Sequence, residues 1–216
     1  MHNSEGRALR VLWGLETAPA RGPKARWSQE QVAAAAVALA DEVGLDALSL
    51  ARVADRLGMT TTAVYRYVDS KAALVELMVD AAISDPPEIT GRGWRKRCRT
   101  WVTLLAGRYA EHPWLTDVRP SGMPRQPRPY AWIDALVRAI PQHADVDALR
   151  LALLLDSLIR TYATLERSVT AAPPEPWLSE AVAERFPVLA AAPNQDVSDP
   201  RAELNFAVES VLRGVA

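Results

Sequence analysis

Apolar residues in this chain recur every three or four positions, and no run alternates with a period of two. The first rhythm lays one buried stripe along a helix, while the second would build a half-buried strand. The pattern therefore predicts an all-α protein. Val32, Ala35, Ala36, Leu39 and Ala40 form a narrow stripe over Ser28–Val43. Ser28 with Gln31 three residues on makes a capping box at its start, and Gly44 stops it. Leu74, Leu77, Met78 and Ala81 repeat from Ser70 to about Ser84, where Asp85-Pro86-Pro87 ends the helix. After a short linker to Gly93, helices are predicted over Trp94–Glu111, Tyr130–Ile140, Asp145–Ser168, Pro176–Arg185 and Asp199–Gly214.

Two stretches read as loops. Arg119 to Pro129 holds five prolines and glycines and is either a lid over a cavity or a surface excursion. Ala190 to Pro200 is the other. The longest predicted helix, Asp145–Ser168, carries Leu149, Leu153, Leu154, Leu158, Tyr162 and Leu165, and Leu151, Leu155 and Ile159 widen that surface. Such a helix must bury two faces, one on its own core and one on a partner subunit.

Between the first and the Ser70 helix lies Ser49 to Lys71, SLARVADRLGMTTTAVYRYVDSK. Ser49 is a good N-cap. Val53, Ala54 and Leu57 share a face, Gly58 supplies the positive φ of a sharp turn, and any of Thr60, Thr61 and Thr62 can cap the next helix. Val64 and Val68 point inward again. The spacing of Ala54, Gly58 and Val64 fits a helix-turn-helix: a small residue where two helices touch, a glycine at the turn, a branched residue where the second helix seats. Thr61, Thr62, Ala63 and Arg66 are left outside with little to bury, near Tyr65, Tyr67 and Lys71. Such groups can meet phosphates or base edges.

AVYRYVDSKAALVELM, Ala63 to Met78, resembles the end of the DNA-binding domain of TetR-family transcriptional regulators. QVAAAAVALADEVGLDALSLARVADRLGM resembles that family's first two helices, so the likeness runs from Trp27 to about Ala82. It implies a three-helix DNA-binding domain over 27–85, preceded by an extension over 1–26 and followed by a larger helical ligand-binding and dimerisation domain over 86–216. It also implies roles. Thr61, Thr62, Ala63 and Arg66 should face the bases, with Arg66 on guanine. Tyr65, Tyr67 and Lys71 should bond phosphates, Ser49 and Arg52 should meet the backbone at the other edge, and Thr60 completes the site. A homodimer would then read a palindromic double-stranded operator.

The scattered pattern GWRKR…HPWL…FPVLAA…DP…LNFAVESVLRGVA resembles the tetracycline-repressor-like branch of the family. That likeness assigns dimerisation to Asp145–Ser168 and Asp199–Gly214. It adds a small-molecule effector that releases a repressor from DNA, and the seven tryptophans of the chain point to an aromatic or hydrophobic one. Trp101, Tyr109, Trp132, Asp156, Arg160 and Tyr162 are candidates for lining its cavity; ordinary core packing is the other reading of the tryptophans.

Composition narrows the rest. The chain has 216 residues and a formal charge of −1, so DNA affinity must rest on local positive charge. Arginine outnumbers lysine 22 to 3, which favours planar forks suited to phosphate and guanine. The 1–26 extension carries five basic residues against Glu5 and Glu16. It is either a basic arm that adds phosphate contacts or a tail with a transient helix. Arg92, Arg95, Lys96, Arg97, Arg99 and Arg108 crowd one helix with no acid before Glu111. They are either a solvated face whose acids lie elsewhere or contacts to DNA or an acidic ligand. The single cysteine, Cys98, excludes an internal disulfide. No apolar run reaches the ~20 residues of a membrane span, and a cytoplasmic protein without membrane contact is expected.

No nucleophile elbow, phosphate-cradling loop or metal-spaced cluster points to an enzyme. His112 and His143 lack a clear partner ligand, so no metal or other cofactor is assigned. Two rival functions stay open: a helical small-molecule-binding protein without DNA activity, and a DNA-binding regulator controlled by a protein partner.

Overall fold

A computed structural model describes residues 6–16, 27–119, 122–171, 175–191 and 199–215. Among them there is no strand, and the protein is all-helical. The helices are α1 (Arg7–Leu12), α2 (Gln29–Val43), α3 (Leu50–Leu57), α4 (Thr61–Val64), α5 (Lys71–Ile83), α6 (Trp94–Glu111), α7 (Pro127–Ala139), α8 (Ala148–Ala171), α9 (Pro176–Arg185), α10 (Pro187–Ala190) and α11 (Pro200–Gly214). Short 3₁₀ turns cover Pro113–Asp117 and Gln142–Ala144.

Packing divides the chain into Met1–Ala139 and Ile140–Ala216. In the first unit α2 lies on α5 and α3, α3 on α4, and α1 on α5; α5 also meets α6 and α7, which meet each other. The break in packing therefore falls after α7, beyond the Pro86 linker where the sequence places its boundary. In the second unit α8 pairs with α11 and α9 with α10.

Local chemistry sets the N-termini. Ser28, Ser49, Thr60 and Ser70 each accept a hydrogen bond from the backbone N–H three residues on, and Ser28 and Gln31 close a full capping box. Each cap satisfies an amide that the helix itself leaves unbonded. At the other end of α3, Gly58 has φ +63°. A Cβ there would meet nothing within 4 Å, so only the backbone conformation resists it. Gly58→Ala is expected to cost about 1–2 kcal/mol, read as a lower urea midpoint. Gly58→Asn should lose less, since asparagine tolerates this region.

Three sequence expectations change. Helix α7 begins at Pro127, inside the stretch read as a loop, because proline suits the first helical position. Helix α8 begins at Ala148 rather than Asp145, which takes a left-handed φ of 51° after the 3₁₀ turn. Its inward line is Leu151, Ala152, Leu155 and Ile159, while Leu149, Leu154 and Leu165 are exposed. The third change is in residues 6–16, read as a basic arm or a tail with a transient helix: Arg7–Leu12 is a packed helix with Ala8 and Leu9 buried. The remainder of the extension, residues 120–121 of the Arg119–Pro129 stretch, and most of the Ala190–Pro200 loop lie outside the described residues.

Candidate nucleic-acid interface

Helix α4 is only one turn long, and the chain continues it as a tight turn. The Arg66 amide donates to Ala63 O at 3.2 Å and the Tyr67 amide to Val64 O at 2.9 Å. Val64 and Val68 are buried at 0% and 1% exposure and pin this segment to the core. Thr61, Thr62, Tyr65 and Arg66 then emerge on one exposed face, with Ala63 and Tyr67 half-buried beside it. Arg66 makes no ion pair among the described residues, and its guanidinium keeps all its donors.

The flanking candidates have local duties as well. Ser49 and Thr60 spend their hydroxyl oxygens as caps. The Arg52 guanidinium donates to Ala47 O at 3.0 Å and Lys71 Nζ to Leu45 O at 3.3 Å. Both cations are exposed, and each has further donors for a phosphate. A fork from Arg56 to Glu42, at 2.6 and 2.8 Å, ties α3 to α2. It holds the Glu42 carboxyl below the usual carboxylate range.

Two polar clusters support this platform, and the sequence reading missed both. At the end of α2, the Asp41 carboxylate accepts from Trp114 Nε1 at 2.8 Å and pairs with His112 Nδ1 at 3.0 Å. Arg108 Nη2 lies 3.1 Å from His112 Nε2. Since guanidinium can only donate, that ring nitrogen is the acceptor and Nδ1 carries the proton. Arg108 also donates to Ala82 O near the end of α5, at 2.8 and 2.5 Å, and to Glu111 at 2.5 Å. This cluster joins the ends of α2, α5 and α6.

Further along α5, Asp80 is 1% exposed and meets Arg128 of α7 twice. Its carboxylate accepts from the Arg128 backbone amide at 2.9 Å and from the guanidinium at 2.7 Å. Burial pushes the Asp80 carboxyl above its ordinary range; the Arg128 bonds and charge pull it back, and Asp85 adds to the rise. Asp80 thus caps the first turn of α7 from another helix. Its signal was present in the sequence: an acid beside the apolar stripe of α5.

Residues 32–78, which run from within α2 to within α5, match the model of the family described as bacterial regulatory proteins, tetR family. The chain is 38% identical over 118 residues to the HTH-type transcriptional repressor DrrR1 of Streptomyces coeruleorubidus, covering 53% of this chain and 44% of that one. Residues 32–78 therefore carry a TetR-family DNA-binding domain. It is also 30% identical over 114 residues to an HTH-type transcriptional regulator of Saccharopolyspora erythraea, covering 52% and 46%. The chain thus spans less than half the length of these two relatives. The TetR family protein ActR of Streptomyces coelicolor, solved in complex with actinorhodin, superposes with a TM-score of 0.72 at 21% identity, covering 88% and 96%. That likeness extends the TetR fold to the C-terminal helices.

The effector candidates divide between the two packing units. Trp101 and Trp132 are buried in the first, in a T-shaped pair 6.1 Å apart. Their ring N–H groups donate to Trp132 O at 2.8 Å and Ser84 O at 3.0 Å. Tyr109 is also buried, on α6. Asp156, Arg160 and Tyr162 are half-buried on α8 in the second unit. Burial pushes the Asp156 carboxyl up against the opposing pull of Arg160. Cys98 is buried, which pushes its thiol up to about 11 and leaves it unreactive. Among the described residues no cluster of metal-binding side chains occurs, and no helix is long and apolar enough to cross a membrane.

Proposed function

We propose that the protein is a ligand-responsive transcriptional repressor that binds a palindromic operator as a homodimer and leaves it on binding a small aromatic effector. The observation that carries this reading is the face of α4. Thr61, Thr62, Tyr65 and Arg66 stand exposed while Val64 and Val68 hold the segment rigidly from behind. Arg66 would take guanine; Tyr65, Tyr67 and Lys71 would hold phosphates on one side, and Ser49, Arg52 and Thr60 on the other. The relative DrrR1 is itself named a repressor.

Dimerisation is supported by apolar side chains on the paired helices α8 and α11. Leu149, Leu154 and Leu165 are 50%, 45% and 39% exposed, and Phe206 is 68% exposed. A second copy of the same helices is the self-complementary cover a two-fold axis supplies. The aromatic effector is supported by the actinorhodin complex of ActR. Release follows if the effector binds more tightly to the state whose two α4 helices are off operator spacing. Helix α5 connects α4 to α7 and is the element that would move.

Selection of bound duplexes from a random library, followed by affinity measurement, tests the reading. The full chain should recover an inverted repeat. Arg66→Ala should weaken binding to it by about 1–3 kcal/mol and relax the preference at one base pair in each half-site. Recovery of no preferred sequence would favour a DNA-independent binding protein instead.

A further inference from the structure

The packed N-terminal helix has an unexpected set of bonds. The two arginines of α1, Arg7 and Arg10, have side chains 47% and 38% exposed, and both are paired within the chain. Arg10 and Arg7 both turn to Glu16, at 2.5 and 3.8 Å. Uncharged hydrogen bonds also tie α1 and the residue after it to two distant places, one received by α1 and one donated by Trp13. Trp13, just past its end, donates from Nε1 to Arg125 O at 2.8 Å, and its ring lies 5.9 Å from that of Tyr130. This is the start of α7. That segment is fastened in turn to α5, where Glu76 meets Gln126 and lies 3.6 Å from Arg125.

At the other end of α1, the Gln29 side chain sits between two carbonyls. Its Nε2 donates to Ala8 O at 3.4 Å and to Tyr67 O at 3.2 Å. An amide NH₂ has two donors, so Gln29 uses both. Tyr67 O belongs to the turn that completes α4. One continuous line therefore runs from the start of α7 through Trp13, α1 and Gln29 to the back of the DNA-reading segment. It does not pass through α5.

We propose that Gln29 and Trp13 are positioning residues, and that α1 is a brace setting α4 relative to the start of α7. This rests on the DNA-binding reading above. Neither residue needs to touch DNA. Both act through backbone carbonyls, so their effect depends on where the chain is held.

The test uses the full chain, the duplex selected by the wild type, and the variants Trp13→Ala, Gln29→Met and the two combined. Trp13 is 45% exposed and Gln29 is half-buried, so neither removal opens a core. Each single variant should bind the duplex about 3-fold to 10-fold more weakly, the worth of one net hydrogen bond. The slope of log affinity against log salt should not change, because no phosphate contact is lost. The double variant should bind no worse than the weaker single, since both interrupt the same line. Amide exchange at Tyr67 and Val68 should quicken in all three variants of the free protein.

A shallower salt slope would make these residues direct phosphate contacts and overturn the brace. Additive losses in the double variant would overturn it too, as would unchanged exchange at Tyr67 and Val68. If the wild type selects no duplex, the DNA reading fails, and the exchange result alone decides whether α1 braces the segment.

Discussion

Replacing Arg128 by methionine is expected to destabilise the protein by about 3–5 kcal/mol near neutral pH, the usual cost of stranding a buried charge. Asp80 is 1% exposed; burial pushes its carboxyl upward and the Arg128 bonds and charge pull it back. Remove the guanidinium and two pulls toward ionisation vanish together, its hydrogen bond and its charge. The folded carboxyl then titrates further above the unfolded value, and this fixes the sign. Below the unfolded value both states are protonated and the penalty is small. As pH rises through the raised folded value, the unfolded state ionises freely, the folded state does so only at a cost, and the loss grows to its full size. Urea unfolding of wild type and Arg128→Met between pH 4 and pH 7 reads this directly. Asp80→Asn combined with Arg128→Met should recover part of the loss and flatten the pH dependence, because an acceptor remains for the Arg128 amide but no charge is buried. An Arg128→Met loss independent of pH would mean that Asp80 is not the stranded group.

Asp41→Ala comes next in size. It leaves the Trp114 and His112 ring N–H groups without their acceptor, and both rings are buried, at 2% and 7% exposure. An unmade bond on a buried donor costs about 1–3 kcal/mol. The Asp41 side chain is 31% exposed, so water reaches the gap from one side. We therefore expect a total of about 2–4 kcal/mol rather than the full sum. Asp41→Asn should cost less, since one oxygen can still accept from Trp114. Thermal and urea unfolding of the pair checks the order. Equal stability of Asp41→Ala and wild type would show that water replaces the carboxylate without loss.

What the sequence makes legible depends on whether a signal is local. The caps at Ser28, Ser49 and Ser70, the turn at Gly58 and the inward Val64 and Val68 all act within four residues, and each appears where the spacing puts it. The exposed face of α4 comes from the same local periodicity. Longer-range choices were not readable. On α8 two apolar sets compete, and only packing against α11 decides that Leu151, Leu155 and Ile159 go inward. The start of α7 looks like a loop because its cap, Asp80, lies 48 residues away. Gln29, Asp41 and Arg128 carry no motif at all; each matters for a carbonyl, ring or carboxylate that the fold brings to it from a distant place.

Two of the arginines on α6 also bond partners with no formal charge. Arg108 donates to Ala82 O at the end of α5, and Arg97 donates to Ala139 O at the end of α7, at 2.8 and 2.6 Å. The last carbonyls of a helix carry partial negative charge, so these two helix ends serve as the missing acids. The two guanidiniums are about three turns apart on nearly one side of α6. Helix α6 is therefore a ruler: it ties the ends of α5 and α7 to two arginines roughly 16 Å apart along its axis. Inserting one residue between Arg97 and Arg108 would swing one guanidinium about 100° off its mark. The length of that stretch is thereby constrained even where its side chains are free to vary.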